Sequence, residues 1–110
     1  MRYKIISIPE FEKDAKRLAK KYPSLKKELA ELFLVLSTNP HQGDSLGNHC
    51  FKIRLSIASK GKGKSGGARV ITYVYVSKVE VYLLSIYDKS EKTIISVREL
   101  KNLLSRIPSS

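Results

Sequence analysis

The apolar positions of this chain change period along its length, and each change marks a new element. Tyr3 to Ile8 reads as a strand, closed by Pro9. From Glu10, Phe11, Ala15, Leu18 and Tyr22 recur at helical spacing, with charged residues filling the opposite face. Pro23 interrupts that pattern, and Ser24 stands where it can cap a second helix. Leu25, Leu29, Leu32 and Leu36 then repeat the spacing, so the two segments predict a helical hairpin with one apolar stripe per helix.

Ser37 to Asn48 (STNPHQGDSLGN) is rich in turn formers and predicts a loop. Beyond it the period falls to two: Phe51, Ile53, Leu55 and Ile57 alternate with Lys52, Arg54 and Ser56. Strands are predicted over Phe51–Ile57, Ala68–Val76 and Glu80–Tyr87, joined by a glycine-rich turn and a tight Ser77–Lys78–Val79 connection. Short connections between successive strands imply an antiparallel meander. The last two strands are apolar on both faces, which predicts central strands covered on both sides. Near the end, Ser96 and Glu99 form an S-x-x-E capping box ahead of Leu100, Leu103, Leu104 and Ile107, predicting a short helix that stops before Pro108. The order is β-α-α-β-β-β-α, an α+β fold with a mainly antiparallel sheet in one domain over residues 1–110.

Composition changes the picture chiefly through charge. A formal charge of +11 favours a polyanionic partner through steering and counterion release. The positive charge is concentrated: between Phe51 and Val79 there are seven Lys/Arg and no Asp or Glu. The single cysteine, Cys50, excludes an internal disulfide framework, fits a reducing compartment, and beside a strand start reads as a small core residue. The N-terminal apolar run is too short for a signal peptide and no run approaches a membrane span, so a cytoplasmic protein with no membrane partner is expected.

Gly63–Lys64–Ser65 has the look of a nucleotide-binding phosphate loop, but position 58 is Ala58 where that motif requires glycine, and a strand is predicted after the turn instead of a helix. His41 and His49 lack the spacing of a helical metal pair and no second cysteine assists, so no metal is expected. No local motif assembles a Ser-His-Asp triad, and His49 stands only as an outside candidate for a general base. The basic constellation remains. Lys52 and Arg54 point to one side of their strand, Arg69 opens the neighbouring strand, and Lys89 follows the last strand. Four cations converging on one surface suit a phosphate and the charge of its transition state. From the residues alone, a solvated face that binds phosphate without chemistry stays open as the alternative.

Three segments together resemble the RelE/ParE superfamily of bacterial type II toxins, especially the HigB-like branch of RelE: FKIRL, then KGKGKSGGARVITYV, then VYLLSIYDKSEK. The likeness spans nearly the whole chain, with the elements in the family's order. It implies a ribosome-dependent endoribonuclease that cuts mRNA in the ribosomal A site without metal or other cofactor. The RNA 2′-hydroxyl attacks the adjacent phosphate, leaving a 2′,3′-cyclic phosphate and a 5′-hydroxyl. On this resemblance Lys52 is the candidate general base, Arg54 a phosphate contact, Arg69 the transition-state arginine, and Lys89 a phosphate or leaving-group contact. Lys60, Lys62 and Lys64 are expected to clamp mRNA or ribosomal RNA. A cognate antitoxin, with a DNA-binding domain such as a helix-turn-helix, is the implied protein partner. RelE itself uses a tyrosine in its C-terminal segment, whereas Thr93 to Val97 holds none, leaving Tyr87 as a substitute or as a packing residue. A ParE-like gyrase inhibitor and a non-catalytic RNA- or ribosome-binding module are the alternatives.

Overall fold

The structure is a computed structural model that describes residues 2–61 and 63–108, with the backbone alone for Lys64 and Ser65. Its elements are β1 (Lys4–Ser7), α1 (Pro9–Lys21), α2 (Leu25–Thr38), β2 (Asp44–Gly47), β3 (Cys50–Leu55), a single helical turn α3 (Gly63–Gly66), β4 (Ala68–Tyr75), β5 (Glu80–Asp88) and α4 (Val97–Leu104). The strands form one sheet in the order β1-β5-β4-β3-β2, parallel between β1 and β5 and antiparallel elsewhere. This is the expected α+β fold with its central pair as predicted: β4 and β5 are buried along nearly their whole length.

Helix boundaries follow local chemistry. Proline stands at the first turn of α1, where the missing N–H costs nothing, with Glu10 and Glu12 toward the positive end of the helix dipole and Lys20 and Lys21 toward the negative end. The capping box forms as the sequence predicts: Ser96 Oγ accepts from Glu99 N–H at 3.1 Å, and the Glu99 carboxylate accepts from Ser96 N–H at 3.3 Å. Ser24 does sit at the N-cap of α2, but its hydroxyl makes no cap bond. It accepts instead from the Ser59 N–H at 2.9 Å and bonds Glu28 at 3.1 Å.

Two elements depart from expectation. The segment read as an unbroken loop contains β2, an edge strand whose turn-like residues (DSLG) pair because β3 offers a free edge. The β2–β3 link is the two-residue turn Asn48–His49, both with positive φ (51° and 62°), the hairpin geometry that matches strand twist. The glycine-rich turn does not pass straight into a strand, since residues 58–60 form a 3-10 turn and α3 precedes β4.

The core lies between the sheet and the α1–α2 hairpin, with Phe11, Leu18, Leu25, Leu29 and Leu36 packed with Ile53, Val70 and Ile86. The opposite face receives α4, through Leu100, Leu103, Leu104 and Ile107. Cys50 is fully buried, and burial pushes its thiol up to about 11, as befits a packing residue. Among the described residues, no helix is long and apolar enough to cross a membrane.

Leu18 is fully buried and Leu34 is 67% exposed, so truncation should separate them. Leu18→Ala is expected to cost about 2–5 kcal/mol in urea denaturation, against a change within about 0.5 kcal/mol for Leu34→Ala.

Candidate active site

Strand register decides which cations share a face. Arg54 lies directly opposite Arg69, and Arg69 directly opposite Tyr87, so these three residues form one row across β3, β4 and β5. Directly opposed residues of antiparallel strands point to the same side, with Cα atoms about 4.5–5.5 Å apart. Lys52, two residues before Arg54, joins that face in the next row, beside Ile71 and Ser85. The Lys89 N–H, two residues after Tyr87, donates to the Gly67 carbonyl at 3.0 Å. The strand register thus puts Lys52, Arg54 and Arg69 on one side of the sheet, with Lys89 just past the end of β5. Glycine is required at position 67, because a Cβ there would fall 2.1 Å from the Leu55 carbonyl oxygen.

The four cations differ in access. Arg54 is exposed, and Lys52 and Lys89 are half-buried. Arg69 is only 4% exposed, with its guanidinium donating to the Ala68 carbonyl at 3.0 Å. Tyr87 beside it is buried, with its hydroxyl close to the Ile95 backbone. Burial raises the Tyr87 pKa, the Arg69 charge opposes that shift and Glu99 reinforces it, so the phenol stays protonated. The Lys92 ammonium lies 5.1 Å from the centre of the Tyr87 ring and is paired with Glu99 of α4. At the outer edge, a groove of about 710 Å³ runs between α2 and β3, lined by Lys52 and Arg54 on one side and by Glu28 and Glu31 on the other.

Lys60 and His49 stand apart from this row. The Lys60 side chain is 9% exposed and its ammonium is paired with the Asp88 carboxylate. Lys62 lies outside the described residues, as does the side chain of Lys64, whose backbone belongs to α3. His49 is exposed in the β2–β3 turn, at the opposite end of β3 from Arg54 and so about 15 Å away along the strand.

Asp88 is the residue that the sequence pattern does not reveal. It neighbours Tyr87 but points to the other face, where it is fully buried. The Tyr22 hydroxyl donates to it at 2.5 Å, Ser90 N–H at 2.9 Å and Ser90 Oγ at 2.8 Å, and Lys21 comes within 4.0 Å. Burial alone would raise its pKa; the bonds from Lys60, Tyr22 and Ser90 outweigh that and hold the carboxyl well below the usual carboxylate range. The signal in the sequence is weak: one acid between Tyr87 and Lys89, at the end of an otherwise apolar strand.

A sheet whose one face gathers arginines and lysines, with its buried acid kept to the other, defines a small α+β protein suited to hold a phosphodiester. No family model matches the sequence. Among solved structures the chain is similar to a double arginine-to-alanine mutant of the E. coli toxin RelE in the free state, with 18% identity, a TM-score of 0.65 and coverage of 98% of this chain and 100% of that one. It is similar to the isolated E. coli RelE toxin at 22% identity and a TM-score of 0.55, over 96% of this chain and 99% of that one. A chain of the intact E. coli RelBE toxin–antitoxin complex matches at 26% identity and a TM-score of 0.54, over 78% of this chain and 95% of that one. The chain has the RelE fold; these matches do not single out the HigB-like branch.

Asp88 has a depressed folded pKa, so its stabilisation is present above about pH 4 and is lost as pH falls below that. Lys60→Met strands the carboxylate and is expected to cost about 3–5 kcal/mol at pH 7. The gap between this variant and the wild type should narrow in urea denaturation below about pH 4.

Proposed function

We propose that this protein is the toxin of a type II toxin–antitoxin pair and acts as a ribosome-dependent mRNA endoribonuclease. The observation that carries the reading is the Arg54–Arg69 row, flanked by Lys52 on the same face of a RelE fold, with Lys89 just past the end of β5. The solved RelE in a complex with its antitoxin supports a cognate antitoxin as partner here.

In this reading the RNA 2′-hydroxyl oxygen attacks the adjacent phosphorus and the bond to the 5′-oxygen breaks. The products are a 2′,3′-cyclic phosphate and a 5′-hydroxyl. Lys52 takes the 2′-hydroxyl proton as general base. Arg54 and Arg69 hold the non-bridging oxygens as charge builds on them, and Lys89 stabilises the leaving oxygen and supplies its proton. The reaction proceeds without a metal or cofactor. Arg69 is 4% exposed, so its contact with substrate requires displacement of the side chains above it. The ribosome supplies that organisation by fixing the RNA against the face, which predicts little cleavage of naked RNA.

The burial of Arg69 also supports a second reading, a non-catalytic RNA- or ribosome-binding module that uses the exposed Arg54 and half-buried Lys52. The two readings separate in one experiment. Purified protein is added to translating ribosomes and mRNA ends are mapped by primer extension. New ends are expected with wild type, and Lys52→Ala and Arg69→Ala, each checked for folding by circular dichroism, should slow cleavage by about two to three orders of magnitude. Intact mRNA with inhibited translation supports the binding module; intact mRNA with normal translation excludes both.

A further inference from the structure

We propose that Asp88 is a positioning residue for the cationic face, acting through its buried pair with Lys60 to hold the 3-10 turn of residues 58–60 in register with the end of β5. That turn opens the connection from the strand of Arg54 to the strand of Arg69. It is tied down at two places. At its start, the Ala58 N–H donates to Glu28 at 2.6 Å and the Ser59 N–H donates to Ser24 at 2.9 Å, fixing the 3-10 turn to α2. One residue further, Lys60 turns inward to Asp88 and completes the tie between the turn and the end of β5.

The geometry connects this tie to the site. Asp88 is directly opposite Ala68, next to Arg69, and the adjacent Lys89 N–H bonds the Gly67 carbonyl that closes the connection. Two of the four candidate cations, Arg69 and Lys89, therefore sit one residue from the Ala68–Asp88 pair. The same carboxylate takes bonds from Tyr22, just beyond α1, and from Ser90, so it holds three chain segments in one place. A buried carboxylate with this many donors does not relocate without leaving an unpaired charge, which is the property a positioning group needs. Lys60, expected from the sequence to grip RNA, is committed inside the molecule to this role.

The effect on rate rests on the ribonuclease reading; the effect on local structure does not, and the experiment measures both. The variants are Asp88→Asn, Lys60→Met, their double, Lys60→Arg, and Arg17→Ala, which breaks only exposed pairs with Asp14 and Glu91, as the control. All are assayed at a temperature where circular dichroism shows them fully folded. In the ribosome assay, Asp88→Asn and Lys60→Met should each lower kcat by about 10- to 100-fold with KM for ribosomes unchanged, the scale of an ångström-level misplacement. The double variant should be no worse than either single one, since both break one pair. Lys60→Arg should recover most of the rate and Arg17→Ala should lose none. In parallel, amide exchange should quicken by about tenfold or more at Arg69 and Lys89 in Asp88→Asn and Lys60→Met, while β1 keeps its protection. Full kcat in both folded variants, unchanged exchange, or an equal increase at every amide overturns the proposal. Wild-type protein that leaves mRNA uncut overturns the ribonuclease reading instead, and the exchange pattern then decides the role of Asp88 alone.

Discussion

The fold of this chain turns on a single buried carboxylate. Asp88 gives up hydration to sit with no exposed surface, a move that costs several kcal/mol unless donors replace the lost water. Here they come from Tyr22, Lys60 and Ser90, on three separate segments. The carboxylate adds a shared anchor to the local signals that end each segment, such as Pro23 after α1. α1 ends at Lys21 just before the tyrosine, the β3–β4 loop bends inward at Lys60, and the chain after β5 turns back through Ser90. The carboxylate works as a common terminus for them. It also places one negative charge at the end of the molecule where Lys21 and Lys60 would otherwise repel each other.

Apolar periodicity makes most of the fold legible. The 3.6-residue rows of α1 and α2, the alternation in β3 and the two-sided apolar runs of β4 and β5 all describe burial, and burial is what the folded sheet delivers. The misses share one physical cause: they depend on partners distant in sequence. Asp44–Gly47 has no strand propensity of its own and becomes β2 only because β3 has an edge to pair with. Ser24 has the identity and position of a cap, yet the Ser59 N–H, 35 residues on, takes its hydroxyl. Lys60 sits among glycines in a basic stretch, where pattern alone reads it as exposed, and an acid 28 residues away draws it inside.

The candidate site is half legible for the same reason. Alternation alone puts Lys52 with Arg54, because that relation is local. That Arg69 faces Arg54 and not Ile53 is a matter of register, which depends on the length and shape of the loop between the strands. The segment resemblance to RelE supplies that relation by analogy, and the strand pairing supplies it by geometry. The burial of Arg69 and the protonated Tyr87 hydroxyl beside it are beyond any sequence pattern, since both depend on what α4 and the segment before it cover.

Period-two geometry also explains how the buried acid and the arginine row come to lie on different faces. Tyr87 and Asp88 are consecutive in β5, so the first faces the row of arginines while the second faces the hairpin. Asp88 accordingly pairs with Lys60 on the hairpin side. Among the described residues, several acids stand at the margins of the cationic side. Asp44 stands opposite Lys52 on the edge strand, Glu28 and Glu31 lie across a groove from Lys52 and Arg54, and Glu99 is tied to Lys92. The sheet thus separates the buried Asp88–Lys60 pair on one surface from the arginine row on the other. Lys92, paired with Glu99 of α4, lies over the Tyr87 ring at one end of that row.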